Sequence, residues 1–218
     1  MAHNGSLTKG LREVKKKMKI EITFTEPLLG TLSGNKEIAE EFIISKHPDG
    51  HSEEESEMRP EEALEKSSTI FARDGEKLML WDYQFKGFFK EACEQMIHSE
   101  TMKKEELKKF RLSQWMYKKT IDKQIFVMPR KIHLELPKGA KPEFIERPLR
   151  GQTMKGERIC LARSESVPVG TKLIIEVVCL NKKLEKFIPL WLNFGLLFGM
   201  GQWRTSGMGR FKWLELKS

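Results

Sequence analysis

The segment Gly199–Arg210, which we call the glycine-rich loop, holds the densest set of side chains that could do chemistry in this chain. Four glycines, two arginines and one tryptophan fall within it. Glycine permits positive φ and lets another backbone come close, and the guanidinium fork matches phosphate oxygens. The segment therefore predicts a loop that holds a phosphate-bearing chain through Gly199, Gly201, Trp203, Arg204, Gly207, Gly209 and Arg210. The alternative is a long turn whose glycines only satisfy backbone geometry, with Trp203 in the core and the arginines in water.

Two more segments combine basic side chains with glycines. Residues 80–90 enter a predicted helix, with Lys86 in its first turn, and helix N-termini favour phosphates. The aromatic side chains of the same segment would also suit a core. Residues 147–158 are typical of a basic loop that contacts nucleic-acid backbones without reading base edges. The candidate nucleic-acid-binding residues outside the glycine-rich loop are Lys86, Arg130, Arg147, Arg150 and Lys155.

Groupings typical of catalysis are scarce. No G-x-S-x-G, H-E-x-x-H or paired-aspartate pattern occurs. The glycine-rich loop lacks the Gly-Lys-Ser/Thr of a Walker A motif, and it follows a predicted helix, unlike a dinucleotide fingerprint. We therefore expect a non-catalytic protein without metal or cofactor. A metal-independent ribonuclease that uses His133 or His98 is the alternative.

The composition indicates a folded protein with an anionic partner. Hydrophobic residues make up 39% and charged residues 32% of the chain, and the net charge of +8 favours a polyanion. The charge is uneven, since residues 53–66 carry seven glutamates and residues 103–119 carry seven lysines and arginines. The three cysteines form no C-x-x-C pair, so neither zinc nor a disulfide framework is indicated. No apolar run reaches membrane-spanning length, and we expect a cytoplasmic protein without membrane contact.

The order of predicted elements indicates an α+β fold. Residues 19–26 alternate as a half-buried strand does, and Asp74-Gly75 between two apolar runs indicates a hairpin. Residues 46–66 hold two prolines and all seven of the clustered glutamates, as in a flexible acidic insertion. Further helices are predicted over 37–45, 83–98, 103–118 and 182–198, and further strands over 125–127, 131–136, 158–162, 171–180 and 211–216. We expect an antiparallel sheet with packed helices, in one domain over 19–218 after an N-terminal extension, 1–18.

In combination, four motifs resemble the RAMP superfamily, the RNA-binding proteins of CRISPR effector complexes. An early strand runs into a glycine-containing turn over residues 25–34, and residues 83–87 (YQFKG) open a helix. Residues 165–171 (ESVPVGT) lead into a strand, and a helix leads into the glycine-rich loop and the last strand. The match is incomplete, because the helix-opening motif lacks the Ser-Ser/Thr residues that usually precede its Lys-Gly.

The resemblance implies a ferredoxin-like (RRM-like) core with insertions and a non-catalytic protein that binds single-stranded RNA or another nucleic acid. It also implies CRISPR or other defence-complex proteins as partners, with an oligomer as a further possibility. The chain resembles small bacteriophage and prophage proteins as well. An anti-defence protein that mimics a backbone subunit, or that sequesters guide RNA or a nucleotide signal, is therefore the second hypothesis.

Overall fold

The computed structural model describes residues 17–33, 68–99, 103–153 and 156–216, with the side chains of 149–160 excepted. The predicted helix over 37–45, the predicted acidic insertion over 46–66 and most of the predicted N-terminal extension lie outside these residues. The strands are β1 Met18–Phe24, β2 Leu28–Leu29, β3 Leu32–Ser33, β4 Thr69–Ile70, β5 Ala72–Asp74, β6 Lys77–Trp81, β7 Ile125–Met128, β8 Lys131–His133, β9 Glu143–Thr153, β10 Gly156–Val167, β11 Lys172–Cys179 and β12 Phe211–Leu216. The helices are α1 Asp82–His98, α2 Lys104–Lys109, α3 Tyr117–Gln124 and α4 Phe187–Asn193.

The central sheet has four antiparallel strands in the order β12-β1-β11-β7. Along the chain these strands and the helices between them run β1, α1–α3, β7, β11, α4, β12. This is the βαββαβ order of a ferredoxin-like core, and the predicted fold class is confirmed. Strands β2–β6 are inserted before α1, and β8–β10 are inserted between β7 and β11. These insertions build two further sheets, one containing β2, β10, β4, β3 and β9 and one containing β5, β6 and β8.

Alternation along β1 positions the core. Ile20, Ile22 and Phe24 are fully buried on the face that the helices cover. Phe211 of β12 packs against Phe24, with ring centroids 6.0 Å apart, and against Phe88 of α1, at 5.2 Å. The first and last strands therefore pair in the central sheet, as the sequence predicts, and an aromatic cluster under α1 joins them as well.

The prediction of one continuous helix over residues 103–118 is wrong. The chain forms the short helix α2 there and begins a second short helix, α3, at Tyr117. Helix α2 ends in a cap in which the Leu112 N–H donates to the Leu107 carbonyl (2.9 Å) and the Arg111 N–H donates to the Lys108 carbonyl (3.0 Å). Such a cap needs a left-handed residue, and Arg111 takes that position with φ 57°. Leu107 and Leu112 are both buried, so apolar packing favours the break over a continuous helix.

The long last helix predicted over 182–198 is also wrong. Two 3-10 segments, Lys182–Leu184 and Phe194–Leu196, flank a short α4. Pro189 falls in the first turn of α4, where its missing N–H costs no hydrogen bond. Gly195 follows α4, and a Cβ there would lie 2.2 Å from the Phe211 ring. The glycine therefore serves core packing, at the expense of helix propensity.

The basic loop predicted over residues 147–158 is a β-hairpin. Strands β9 and β10 pair in antiparallel register from Gly156 opposite Thr153 to Ser166 opposite Glu143. Cross-strand pairing satisfies the backbone over this length, so the glycines of the segment lie within or at the end of strands. Among the described residues, no helix has the length and apolar character to cross a membrane.

Candidate nucleic-acid interface

The glycine-rich loop folds back on itself, and this packing requires three of its four glycines, Gly199, Gly201 and Gly209. Gly199, Gly201, Gly207 and Gly209 all have positive φ, between 69° and 89°. A Cβ on Gly199 would lie 2.5 Å from the Met208 carbonyl oxygen, and one on Gly201 would lie 2.9 Å from the Leu29 carbonyl oxygen. The Gly209 N–H donates to the Pro27 carbonyl (2.8 Å). The loop is thus fixed against the turn that follows β1, which is the first of the four RAMP-like motifs.

The two arginines of the loop have different surroundings. Arg204 forms a part-buried ion pair with Glu91 of α1, and its guanidinium lies 4.5 Å from the centre of the Phe198 ring. The Arg210 Nε donates to the Leu197 carbonyl (3.1 Å) within the loop region. Arg204 therefore ties the loop to α1, whereas Arg210 braces the loop itself.

Trp203 lies on the side of the glycine-rich loop that contacts the β9–β10 hairpin, and its side chain is half-buried. Its backbone is left-handed, with φ 55°, a conformation that costs a non-glycine residue about 1–2 kcal/mol. The Arg147 guanidinium covers the Trp203 ring at 4.8 Å from its centre, and Arg147 Nη2 donates to Gln202 Oε1 (3.3 Å). Two of the predicted site residues, Arg147 and Trp203, thus form a junction between hairpin and loop.

A groove of about 560 Å³ opens where three of the four RAMP-like motifs meet. One wall is the turn after β1, with Leu28, Leu29 and Thr31; another is the glycine-rich loop, with Met200, Gly201 and Arg204. The third wall is the N-terminal half of α1, which contributes Tyr83, Gln84, Lys86, Gly87, Phe88, Lys90 and Glu91. Gln84 connects two of these walls, because its Nε2 donates to Thr31 Oγ1 (2.8 Å) while its Oε1 accepts from the Trp81 N–H (2.7 Å).

The groove carries cations beside an apolar floor formed by Leu80, Phe88 and Met200. Lys86 Nζ donates to the Asp122 backbone carbonyl (3.3 Å) and lies 4.8 Å from the centre of the Phe126 ring. Lys90 pairs with the Asp122 carboxylate at 2.7 Å. Among the described residues Lys86 has no carboxylate partner, which makes it the groove cation best able to accept a phosphate.

The first turn of α1 is less open to an anion than the sequence predicts. Helix α1 begins at Asp82, so Lys86 lies in the second turn. The Asp82 N–H donates to the Arg130 carbonyl (3.0 Å), and its carboxylate opposes an incoming phosphate. Burial, followed by the nearby charge of Asp82, raises the pKa of the Tyr83 phenol. Tyr83 therefore faces the groove as a neutral hydrogen-bond donor, and the lysine side chain is a better phosphate ligand than the helix terminus.

The face of the central sheet opposite the helices does not provide a stacking platform on its two middle strands. RRM domains stack bases on aromatic side chains of such strands. Here Glu21 of β1 pairs with Lys172 at 2.9 Å, and Glu176 of β11 pairs with Lys17 at 2.8 Å. These positions hold ion pairs instead of the aromatic rings on which bases stack, so the groove is the better candidate for nucleic acid.

Arg130 does not line the groove, and the Arg150 side chain lies outside the described part of the chain. Arg130 lies between β7 and β8, with its guanidinium 5.8 Å from the centre of the Trp81 ring. Arg150 lies in β9, and Lys155 lies outside the described residues. Of the predicted set, the groove brings together Lys86, Gly201 and Arg204.

Sequence reasoning missed Lys90, Glu91 and Asp122. Lys90 could have been found, because it follows Lys86 by four residues and shares its helix face. Asp122 could not, since it reaches the groove only through the packing of α3 against α1.

Comparisons with known proteins give a likeness in structure. No protein-family model matches the chain, and no curated protein is similar to it in sequence. A chain in the cryo-EM structure of the Type III-B Cmr-beta bound to cognate target RNA superimposes over 97% of this chain, with a TM-score of 0.53 and 12% identity. This chain spans 63% of the length of that one.

Two further solved structures superimpose less closely. Cmr6 from Pyrococcus furiosus gives a TM-score of 0.45 at 12% identity, over 92% of this chain and 98% of its own. A chain of a Type IV-B CRISPR complex gives 0.43 at 10% identity, over 93% of this chain and 91% of its own. The superposition on the Cmr-beta chain, a RAMP-type protein, confirms at the level of the fold the resemblance predicted from four short motifs, and this chain has a RAMP-like fold.

Proposed function

We propose that the protein binds single-stranded RNA without cleaving it, with the phosphate backbone in the groove between the glycine-rich loop and α1. The observation that carries the proposal is the meeting of three motif segments around Lys86, Lys90 and Arg204. Lysine and arginine at the rim of an apolar groove suit a strand whose phosphates face the cations and whose bases contact the floor.

The carboxylates in the groove set the expected strength. Glu91 and Asp122 hold Arg204 and Lys90 in place, and an incoming phosphate has to compete with them. Phosphate binding releases counterions from the strand, with a salt slope of about −0.7 for each phosphate neutralised. Three groove cations therefore correspond to a slope of about −2 in a plot of log affinity against log salt concentration. Because phosphate contacts do not read base edges, we expect weak sequence preference.

Fluorescence anisotropy with a labelled mixed-sequence RNA of about 16 nucleotides tests the proposal. Lys86→Ala combined with Arg204→Ala should weaken binding about tenfold or more, because a hydrogen bond to a charged group contributes about 1.5–3 kcal/mol. The control is Lys77→Ala with Lys141→Ala, which removes the same charge from exposed positions outside the groove. Equal losses in both double variants, with melting curves that show both folded, would leave only non-specific attraction.

A second candidate function is occupation of a subunit position in a CRISPR effector complex. The superposition on a chain of the Type III-B Cmr-beta favours it, because a protein with the fold of a subunit can occupy the position of that subunit in a complex. This covers both a genuine subunit and an anti-defence mimic. The test is whether the purified protein competes with a backbone subunit for guide RNA in a reconstituted complex, and lack of competition at excess protein contradicts it.

A further inference from the structure

A second basic pocket, of about 390 Å³, lies at the junction of α2, α3 and the end of β11. Four cationic side chains line it: Lys109, Arg111, Lys119 and Lys123. None of its lining residues lines the groove of the proposed RNA site. Lys119 and Lys123 of the pocket lie on α3, and Asp122 of the same helix lines the groove, where it pairs with Lys90. The pocket is therefore a separate site from the groove.

Among the residues that the structure describes, no carboxylate lines the basic pocket. Within the described part of the chain, none of its four cations makes an ion pair. Like charges held around a concave surface repel one another and focus a positive potential into it. An anion bound there would relieve this repulsion, and a phosphate group offers enough acceptor oxygens for several of the cations at once.

The backbone of Arg111 adds an independent indication. Arg111 occupies the left-handed position of the α2 cap, with φ 57°, where glycine is the usual residue. Its carbonyl accepts from the buried Thr120 Oγ1 of α3 (2.8 Å), so tertiary contacts hold it in this conformation. Strained backbone of this kind is often found at binding sites.

The rest of the pocket suits the remainder of a nucleotide. Phe110 and Met116 give it apolar surface, and Gln124 and Asn181 contribute side-chain amides that can hydrogen-bond to a base. Trp115, next to Met116 in the chain, is 89% exposed. Its ring does not line the pocket, so Phe110 and Met116 are the surface within the pocket that a base would contact.

We propose that the basic pocket binds a phosphate-bearing nucleotide, with its phosphates on Lys109, Arg111, Lys119 and Lys123 and its base against Phe110 and Met116. The nucleotide is either free or part of a single strand, since both present the same groups. The proposal does not rest on RNA binding in the groove, because the two sites share no residue.

Two double variants test the pocket. Lys109→Ala with Lys119→Ala removes two pocket cations, whereas Lys108→Ala with Lys118→Ala removes the preceding lysine of each pair, which does not line the pocket. The probes are fluorescent ATP and a labelled RNA of about 12 nucleotides. We expect the pocket variant to lose about tenfold in affinity for at least one probe and the control to lose twofold or less. Loss for ATP identifies a free nucleotide, and loss for RNA alone identifies a strand. Wild-type protein that binds neither probe, or equal losses in the two variants, overturns the proposal.

Groove binding is distinguished in the same experiment. The variant Lys86→Ala with Arg204→Ala should still bind ATP like the wild type if the pocket is the nucleotide site. RNA binding that fails only in this groove variant places the strand in the groove, and the pocket proposal is then overturned unless the pocket variant loses affinity for ATP.

Arg111→Gly gives a second measurement that a purely structural role would not reproduce. Glycine relieves the left-handed strain, so the thermal midpoint should stay the same or rise. Affinity for the probe that the wild type binds should fall because the guanidinium is lost. A variant of raised or unchanged midpoint with undiminished affinity contradicts the assignment of Arg111.

Discussion

A Cβ atom on Gly209 would lie 2.0 Å from the carbonyl oxygen of Met200. The two backbones are joined at this point, since the Met200 N–H donates to the Gly209 carbonyl (2.9 Å). Met200 also lines the groove. Gly209 therefore closes the base of the loop and determines where a groove wall stands, whether or not a ligand ever touches it.

Gly209→Ala should lower the free energy of unfolding more than Gly207→Ala does. Both positions have positive φ, which costs alanine about 1–2 kcal/mol. At Gly209 overpacking adds about 1–3 kcal/mol, whereas the atom nearest a Cβ on Gly207 belongs to the Arg210 side chain at 3.4 Å. Urea unfolding of both variants measures the difference. Equal losses of stability would show that the contact between Gly209 and Met200 relaxes at no cost.

Glu91→Gln should tighten RNA binding. The Glu91 carboxylate holds Arg204 in the groove, and its removal frees the guanidinium for a phosphate while keeping the length of the side chain. Each side chain of this pair is 30% exposed, so the pair contributes up to about 1 kcal/mol to folding. The gain in affinity should reach at most about fivefold.

Anisotropy titrations of wild type and Glu91→Gln measure this gain, with Glu76→Gln as the control for the loss of one negative charge. Equal gains in the two variants would mean that only net charge matters, and a loss in Glu91→Gln alone would mean that the ion pair positions Arg204 for binding.

The Asp74 cluster predicts an acid-dependent contribution to stability. Hydrogen bonds, first from Lys131 and then from His133, hold the pKa of Asp74 below its ordinary value of 3.8. The folded state therefore favours the charged carboxylate. Its contribution is fully present above the ordinary carboxyl pKa and is lost as the pH falls through the lower folded value.

Urea unfolding of wild type and Asp74→Asn from about pH 6 to about pH 2 measures it. The two unfolding curves should differ at the upper end and converge at the lower. A difference that persists unchanged at the lowest pH would show that the aspartate acts through its shape and not its charge.

No nuclease activity is expected, with or without divalent cation. His133 Nε2 lies 3.0 Å from Asp74 Oδ2, an arrangement that can orient an imidazole, but His133 does not line the groove. General acid–base cleavage needs such a group within hydrogen-bonding reach of the scissile phosphate. Incubation with end-labelled RNA checks this expectation. Specific products that disappear in His133→Ala or His98→Ala would establish a ribonuclease instead.

Local pattern predicted much of the fold. The alternation in β1 and β12, the Asp74-Gly75 turn and the apolar stripe of α1 are all properties of short segments, and the structure contains each of these elements. The breaks at Arg111 and Gly195 were missed because each depends on packing against residues elsewhere: Thr120 for the first, and Phe211 for the second.

The candidate site was predictable in part for the same reason. Lys86 and the glycine-rich loop are evident from residue type and spacing. Their meeting is not, because Arg204 and Glu91 are 113 residues apart and the sequence has no local feature that pairs them. The contact between Arg147 and Trp203 likewise depends on how the β9–β10 hairpin packs against the loop.

Photo-cross-linking locates a bound strand on the protein, so it tests directly whether single-stranded RNA lies in the groove between the glycine-rich loop and α1. A single-stranded RNA containing 4-thiouridine is bound to the wild-type protein and irradiated, and the linked peptides are identified by mass spectrometry. We expect cross-links in residues 83–91 of α1 and residues 200–204 of the glycine-rich loop, the two walls that carry Lys86 and Arg204. Cross-links confined to residues outside the groove would contradict it.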